Sequence, residues 1–268
     1  AGSEFNMSGS STLTIDRSGV VSGVFYDIYM DPSAYNITGG EIRVGTSTTA
    51  ASQNFISDIQ VPLWNLSIDG TTTAKTVTLI GDPLVVQKNL RIEGNSIFVA
   101  SGLDVTIGGD LVNQNTTSTT GLSNGGFRPV TATQNTTFNS SIANQNITGV
   151  SGNLTNFAVI TVANTFAGGQ LTLGSNTAVR VAGQLNISTG ILNTGANLLT
   201  ALSNVVNNGG HVSSGAGFLV FAGSSSQSIQ SGSTASFGSM RISNSAGVVA
   251  ECPVDLAGTL NFTTGLFY

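Results

Sequence analysis

An eleven-residue phrase occurs twice in this chain, as AGQLNISTGIL at residues 182–192 and as AGTLNFTTGLF at residues 257–267. A chain that spells one stretch of backbone twice is building one structural step twice. A catalytic loop has no need of a second copy, whereas a stacked array does. The repetition extends beyond the phrase. Leu63, Leu66 and Ile68 recur 94 positions later as Phe157, Ile160 and Val162, and 80 positions further on as Phe237, Met240 and Ile242. Leu84, Val86, Leu90 and Ile92 recur as Val179, Val181, Leu185 and Ile187, then as Val254, Leu256, Leu260 and Phe262. The repeat units cover residues 63–156, 157–236 and 237–268, the third truncated.

Inside each unit the local pattern is alternation. LTI at 13–15, EIRV at 41–44, LSI at 66–68, TVTL at 76–79, LRI at 90–92, DVTI at 104–107, ITV at 160–162, LTL at 171–173, VRV at 179–181, LNI at 185–187 and MRI at 240–242 each put apolar side chains on one face. That is the period-two mark of a half-buried strand. Gly, Asn and Ser separate the strands and supply the turns. No window carries the i, i+3, i+4, i+7 spacing of a long helix. Asn-Gly and Asp-Gly hairpin signals are sparse, which disfavours antiparallel pairing. The spacing therefore predicts an all-β chain over residues 7–268: one elongated right-handed parallel β-helix, or β-solenoid, with β-sandwich repeats as the alternative. At about 20 residues and about 4.8 Å per coil, the rod would be roughly 60 Å long. Residues 1–6 are set aside, because AGSEF reads as a cloning remnant. GLFY stops inside a repeat phrase, so the chain reads as a monomeric fragment of a longer one.

Composition narrows the function classes. Of 268 residues, 40% are hydrophobic and only 8% charged, so a core can form while the surface is left to Ser, Thr, Asn and Gly. The net charge of −5, with 8 Lys and Arg against 13 Asp and Glu, argues against nucleic acid as a partner. The basic residues Arg17, Arg43, Lys75, Lys88, Arg91, Arg128, Arg180 and Arg241 are scattered singly. No apolar run is long enough for a membrane-inserted helix. Cys252 is the single cysteine, which excludes an internal disulfide, and it reads as a small buried side chain.

The ordered phrases FxxLxIxN, LxVxGxLxIxxGxL and an aromatic-led segment such as FLVFAGSSSQSIQSGS resemble the wording of very large repetitive surface proteins of Bacteroidota. These are secreted by the type IX system and include the mobile adhesins of gliding flavobacteria. The stretch ITGGEIRVGTSTTAASQNFISDIQVPLWNLSIDG is similar to the same repeat context, and the resemblance covers the chain from about residue 12. It implies β-helical stalk or adhesive regions, a cell-surface or secreted location, and contact with extracellular surfaces or polysaccharides. It carries no catalytic residues and no cofactor to transfer.

Residues that could carry chemistry are few. His211, the single histidine, lies beside a glycine turn and reads as a surface turn residue. It cannot supply a zinc site alone. Asp27 with Asp31, or Asp104 with Asp110, would be the carboxylate pairs of a polysaccharide-degrading β-helix. Asp27 and Asp31 are also the best calcium candidates, although no D-x-[DN]-x-[DN]-G loop is present. Tyr26, Tyr29 and Tyr35, with Phe25, form the richest aromatic patch and the candidate ligand-binding spot, against filling of the first coil as the plain alternative. Trp64 reads as a core or cap residue. The Thr runs are too irregular to order ice. The expectation is a non-enzymatic structural or adhesive segment, with a carbohydrate-binding or polysaccharide-degrading protein as the alternative.

Overall fold

The structure, a computed structural model, describes residues 2–16, 26–117 and 119–268; Arg17 and Phe25 lie outside the described residues. The described residues form 32 short strands and no helix. Every strand pairing is parallel, and the strands stack as a right-handed β-solenoid of about 10 turns. Chain order runs through three faces in rotation. The first face holds Glu4–Met7 with Ala34–Ile37, then an eight-stranded sheet from Leu84–Val86 to Val248–Ala250. The second holds a nine-stranded sheet from Thr12–Ile15 to Gly210–Val212, then Ala235–Phe237 with Val254–Leu256. The third holds a five-stranded sheet from Ile28–Met30 to Phe127–Arg128, then a six-stranded one from Leu154–Phe157 to Leu260–Thr264.

All eleven alternating segments are strands, because alternation is what a face with one wet side demands. Their inward residues form one apolar column. Leu66, Leu90 and Leu111 stack in register, as do Val162 with Ile187 and Ile242 with Phe262. Most of these side chains are fully buried, each burial contributing on the order of 1.5–3 kcal/mol. Coil lengths vary: 19 residues separate Leu192 from its partner His211, but 36 separate Leu111 from Ile147. Longer coils mean fewer of them, and ten at about 4.8 Å give a rod of roughly 48 Å rather than 60. Glu4 and Phe5, set aside at the sequence level, pair with Ala34 and Tyr35 in the first coil.

The repeat is rotated as well as translated. Asn65–Ile68 is the seventh strand, Val159–Ala163 the eighteenth and Met240–Ser243 the twenty-ninth, so successive copies are eleven strands apart. Four full coils would take twelve. Each copy therefore begins one face back from its predecessor, on the second, first and third faces in turn. The twice-written phrase keeps its local geometry through this rotation. In both copies the strand bulges against its neighbour, with Ser188 the extra residue opposite Val162–Ala163 in one and Thr263 opposite Ile242–Ser243 in the other.

Buried amides repeat with it. Gln145 accepts from Ser140 N at 3.0 Å and donates to Ile107 O and Gly109 O, both at 2.8 Å. Gln227 accepts from Gly223 N at 2.8 Å and donates to Ala201 O at 3.1 Å and Ser203 O at 2.6 Å. Each glutamine also accepts from an asparagine of the next coil, Asn164 or Asn244. Turn backbone that would otherwise lie unpaired inside the column is satisfied by these side chains.

Candidate functional site

The amino-terminal end carries the sequence-predicted residues, but the fold divides them. Tyr26 and Tyr29 stand together, ring centres 5.2 Å apart, 42% and 55% exposed. Tyr35 is exposed on Ala34–Ile37 of the first face, away from Ile28–Met30 of the third. Asp27 Oδ2 accepts from Ile56 N at 2.7 Å, and Asp31 Oδ2 accepts from the Tyr29 hydroxyl at 3.2 Å. That hydrogen bond holds the Tyr29 phenol above its ordinary pKa. Both aspartates line a cleft of about 480 Å³ with Phe5, Leu13 and Met30. Among the described residues no three His, Cys, Asp or Glu side chains gather to hold a metal ion. Asp58, in register with Tyr29, is a buried carboxylate whose Oδ1 has no hydrogen-bond partner.

Asp104 and Asp110 are not brought together as a pair. Asp104 Oδ1 accepts from Asn135 N at 2.8 Å, and Asp110 Oδ1 from Asn146 N at 2.7 Å, each tying a strand entrance to the coil above. Asn89 and Asn204 fill the same role with amides, accepting from Asp110 N and Ser228 N. A neutral side chain does the same work, so these carboxylates act as turn caps.

His211 corrects the reading of a surface turn. It is 1% exposed and points into the column beside Leu192, its partner in the second face. Its Nδ1 accepts from Gly238 N at 3.3 Å, so the proton sits on Nε2, which donates to Thr194 Oγ1 at 3.1 Å. Burial lowers its pKa to about 4. Among the described residues its hydrogen-bond partners are the Thr194 hydroxyl and the Gly238 amide, and its aromatic neighbour is Phe237 at 6.1 Å. Trp64 is half-buried against the core, with Lys88 Nζ over its ring at 5.3 Å. Cys252 packs on the edge of the core rather than inside it.

The arginines correct the reading of single, scattered charges. Beyond residue 110 the chain holds three basic residues, Arg128, Arg180 and Arg241, and all three lie on the third face. Each alternates with buried neighbours, as in Val179 and Val181 around Arg180, and so points outward. The two carboxylates of that half are elsewhere: Glu251 follows the first-face strand Val248–Ala250, and Asp255 is in the second-face strand Val254–Leu256. Arg180 and Arg241 share one row, Asn156–Arg180–Thr200–Val220–Arg241–Asn261, in which Asn156 and Val220 are buried. Arg128 Nε donates to Gly125 O at 2.8 Å, and the Arg241 guanidinium lies 4.4 Å from the centre of the Phe218 ring. The Arg180 guanidinium makes no hydrogen bond or ion pair with any described residue, and its Nη1 is buried. Desolvation lowers the pKa of Arg128 and Arg180. The sequence held one signal for this row, an arginine flanked by inward apolar residues, but aligning the three requires the coil lengths.

The charged cluster on the opposite half of the rod is self-contained. Arg43 reaches Asp69 at 2.8 Å and Glu93 at 3.2 Å across three coils of the second face, and Arg91 also pairs with Glu93. No protein family, curated protein or solved structure matches this chain.

Proposed function

We propose that the chain is a structural and adhesive segment of a bacterial cell-surface adhesin, of the type IX-secreted kind that its phrases resemble. The observation that supports this reading is the stack of parallel strands, six sheets on three faces, around one apolar column. Inter-coil hydrogen bonds run along the rod axis, so a pull on the rod loads many of them together. The outer surface is rich in Ser, Thr and Asn and sparse in charge, which favours many weak contacts over one strong one. Repeated weak contacts add up through effective concentration. This accounts for attachment to surfaces or polysaccharides without a deep pocket.

Force spectroscopy tests the reading. Beads coated with the protein should detach from glass and from glycan-coated slides at forces above those of beads coated with an unrelated β-rich protein. Equal forces would make the segment a passive spacer. Release of reducing ends or unsaturated products from a polysaccharide panel would instead establish the polysaccharide-degrading alternative.

A further inference from the structure

We propose that the third face between Phe127–Arg128 and Met240–Ser243 binds an acidic polysaccharide lying along the rod, its acid groups taken by Arg128, Arg180 and Arg241. The proposal deepens the adhesive reading and rests on it for context only. Its first support is the separation of charge. Three cations share a face on which this half of the chain places no carboxylate. The described arginines of the other half are paired instead, Arg43 and Arg91 being held by Asp69 and Glu93. An arginine left without a partner pays desolvation and receives nothing back from the protein. Arg180 is in that position, and its row neighbour Asn156 has a buried Oδ1 that is also unpartnered. Arg180 is partly exposed and can meet an acid group of a ligand, whereas Asn156 is fully buried.

The second support is the neighbouring row. Leu154, Ala178, Leu198 and Phe218 run parallel to the arginine row, two residues earlier along each strand. Leu198 is 39% exposed. A strip of apolar side chains beside a strip of guanidinium groups matches a pyranose chain, whose ring faces are apolar and whose edges carry the polar groups.

Spacing separates this ligand from nucleic acid. Arg128 and Arg180 are two coils apart and Arg180 and Arg241 three, which is about 10 Å and about 14 Å along the axis. Duplex DNA carries one negative charge per about 1.7 Å of its axis, far denser than this row could match. A polysaccharide with an acid on some of its sugars offers charges sparsely, as the row receives them.

The test uses affinity electrophoresis through gels containing polygalacturonate, dextran sulfate, neutral dextran or polythymidine. The protein should be retarded by polygalacturonate, dextran sulfate or both, and not by neutral dextran; which acidic polymer binds assigns the acid as carboxylate or sulfate. Binding should weaken roughly 10-fold or more in the triple variant R128Q/R180Q/R241Q. Arg180→Gln alone should weaken it several-fold. Lys88→Gln, which changes net charge by the same amount elsewhere on the rod, should not. Melting curves check the fold, and Arg180→Gln should melt no lower than wild type, since it removes an unpaired charge. Beads carrying the triple variant should still adhere to glass, which separates failure here from failure of the adhesive reading. Undiminished binding by the triple variant, an equal loss in Lys88→Gln, no preference over neutral dextran, or equal retardation by polythymidine would each overturn the proposal.

Discussion

A Cβ built on Gly190 would stand 2.7 Å from the carbonyl oxygen of Asn164, one coil below it, on a backbone at φ +77°. The same relation holds between Gly265 and Asn244 and between Gly94 and Gly70, where the approach is closer still. These are the corresponding positions of the three repeat copies, placed by the eleven-strand period at three different corners of the rod. The glycine that ends each phrase lets one turn settle onto the turn beneath.

Alanine at these corners should therefore cost more than its conformation alone. Gly9 also has a positive φ, at +61°, but nothing stands near its missing side chain. Gly9→Ala should cost about 1 kcal/mol. Gly190→Ala should cost about 3 kcal/mol, since the Asn164 carbonyl must move as well. Urea unfolding of the two variants gives the comparison.

The buried amides should behave as obligatory parts. Gln227→Leu keeps the volume but leaves Gly223 N, Ala201 O and Ser203 O without their partner. At 1–3 kcal/mol for each unsatisfied buried group, the loss should reach about 3 kcal/mol or more. Gln145→Leu should match it, because its contacts are the same. A Gln145→Leu loss much smaller than that of Gln227→Leu would refute the equivalence of the two corners.

His211 predicts an acid limb in stability. Its folded pKa of about 4 lies below the ordinary 6.5, so the folded state binds the proton less readily than the unfolded one. The contribution is complete above pH 6.5 and is lost as pH falls from there through about 4. Over that window it amounts to about 3 kcal/mol. Protonation of Nδ1 would also break the bond from Gly238 N. Unfolding measured between pH 7 and pH 4 should show this slope, and His211→Leu should flatten it whatever its effect at pH 7.

The Arg43 cluster should be worth more than a surface pair. Asp69 and Glu93 are largely buried, so Arg43→Ala leaves Asp69 with its Thr71 hydrogen bonds alone and Glu93 with Arg91 alone. The expected loss is about 2 kcal/mol at pH 7. Burial opposes the charged form of Asp69, but hydrogen bonds from Thr71 and Arg43 outweigh it and hold the carboxyl below its usual pKa. The stabilisation is thus present at neutral pH and lost as pH falls below the carboxylate range. Arg43→Ala should lose little further stability there.

Much of the fold was legible because the outward and inward sides of a solenoid strand obey one rule. EIRV and LRI state it plainly. QNIT at 145–148 and QSIQ at 227–230 hide it, since their inward Gln145 and Gln227 are polar and are satisfied by their own turn, by backbone of the coil before and by an asparagine of the coil after. His211 was misread for the same reason: GHV looks like a turn until Leu192 is placed below it. The arginine row was invisible for a different one. Which residues share a face depends on coil lengths that vary from 19 to 36 residues, and a sequence does not state them.

The stacking itself is open to direct measurement by pulsed electron–electron distance spectroscopy on spin-labelled cysteine pairs. Val85, Thr106, Thr137, Thr161, Asn186 and Val206 lie in one outward row of the first face. With one label at Val85, partners at Thr161, Asn186 and Val206 should lie about 14, 19 and 24 Å away, growing by about 4.8 Å per coil. Separations that fail to grow in that order would mean that the strands do not pile up along one axis, and the account built on that column would fall.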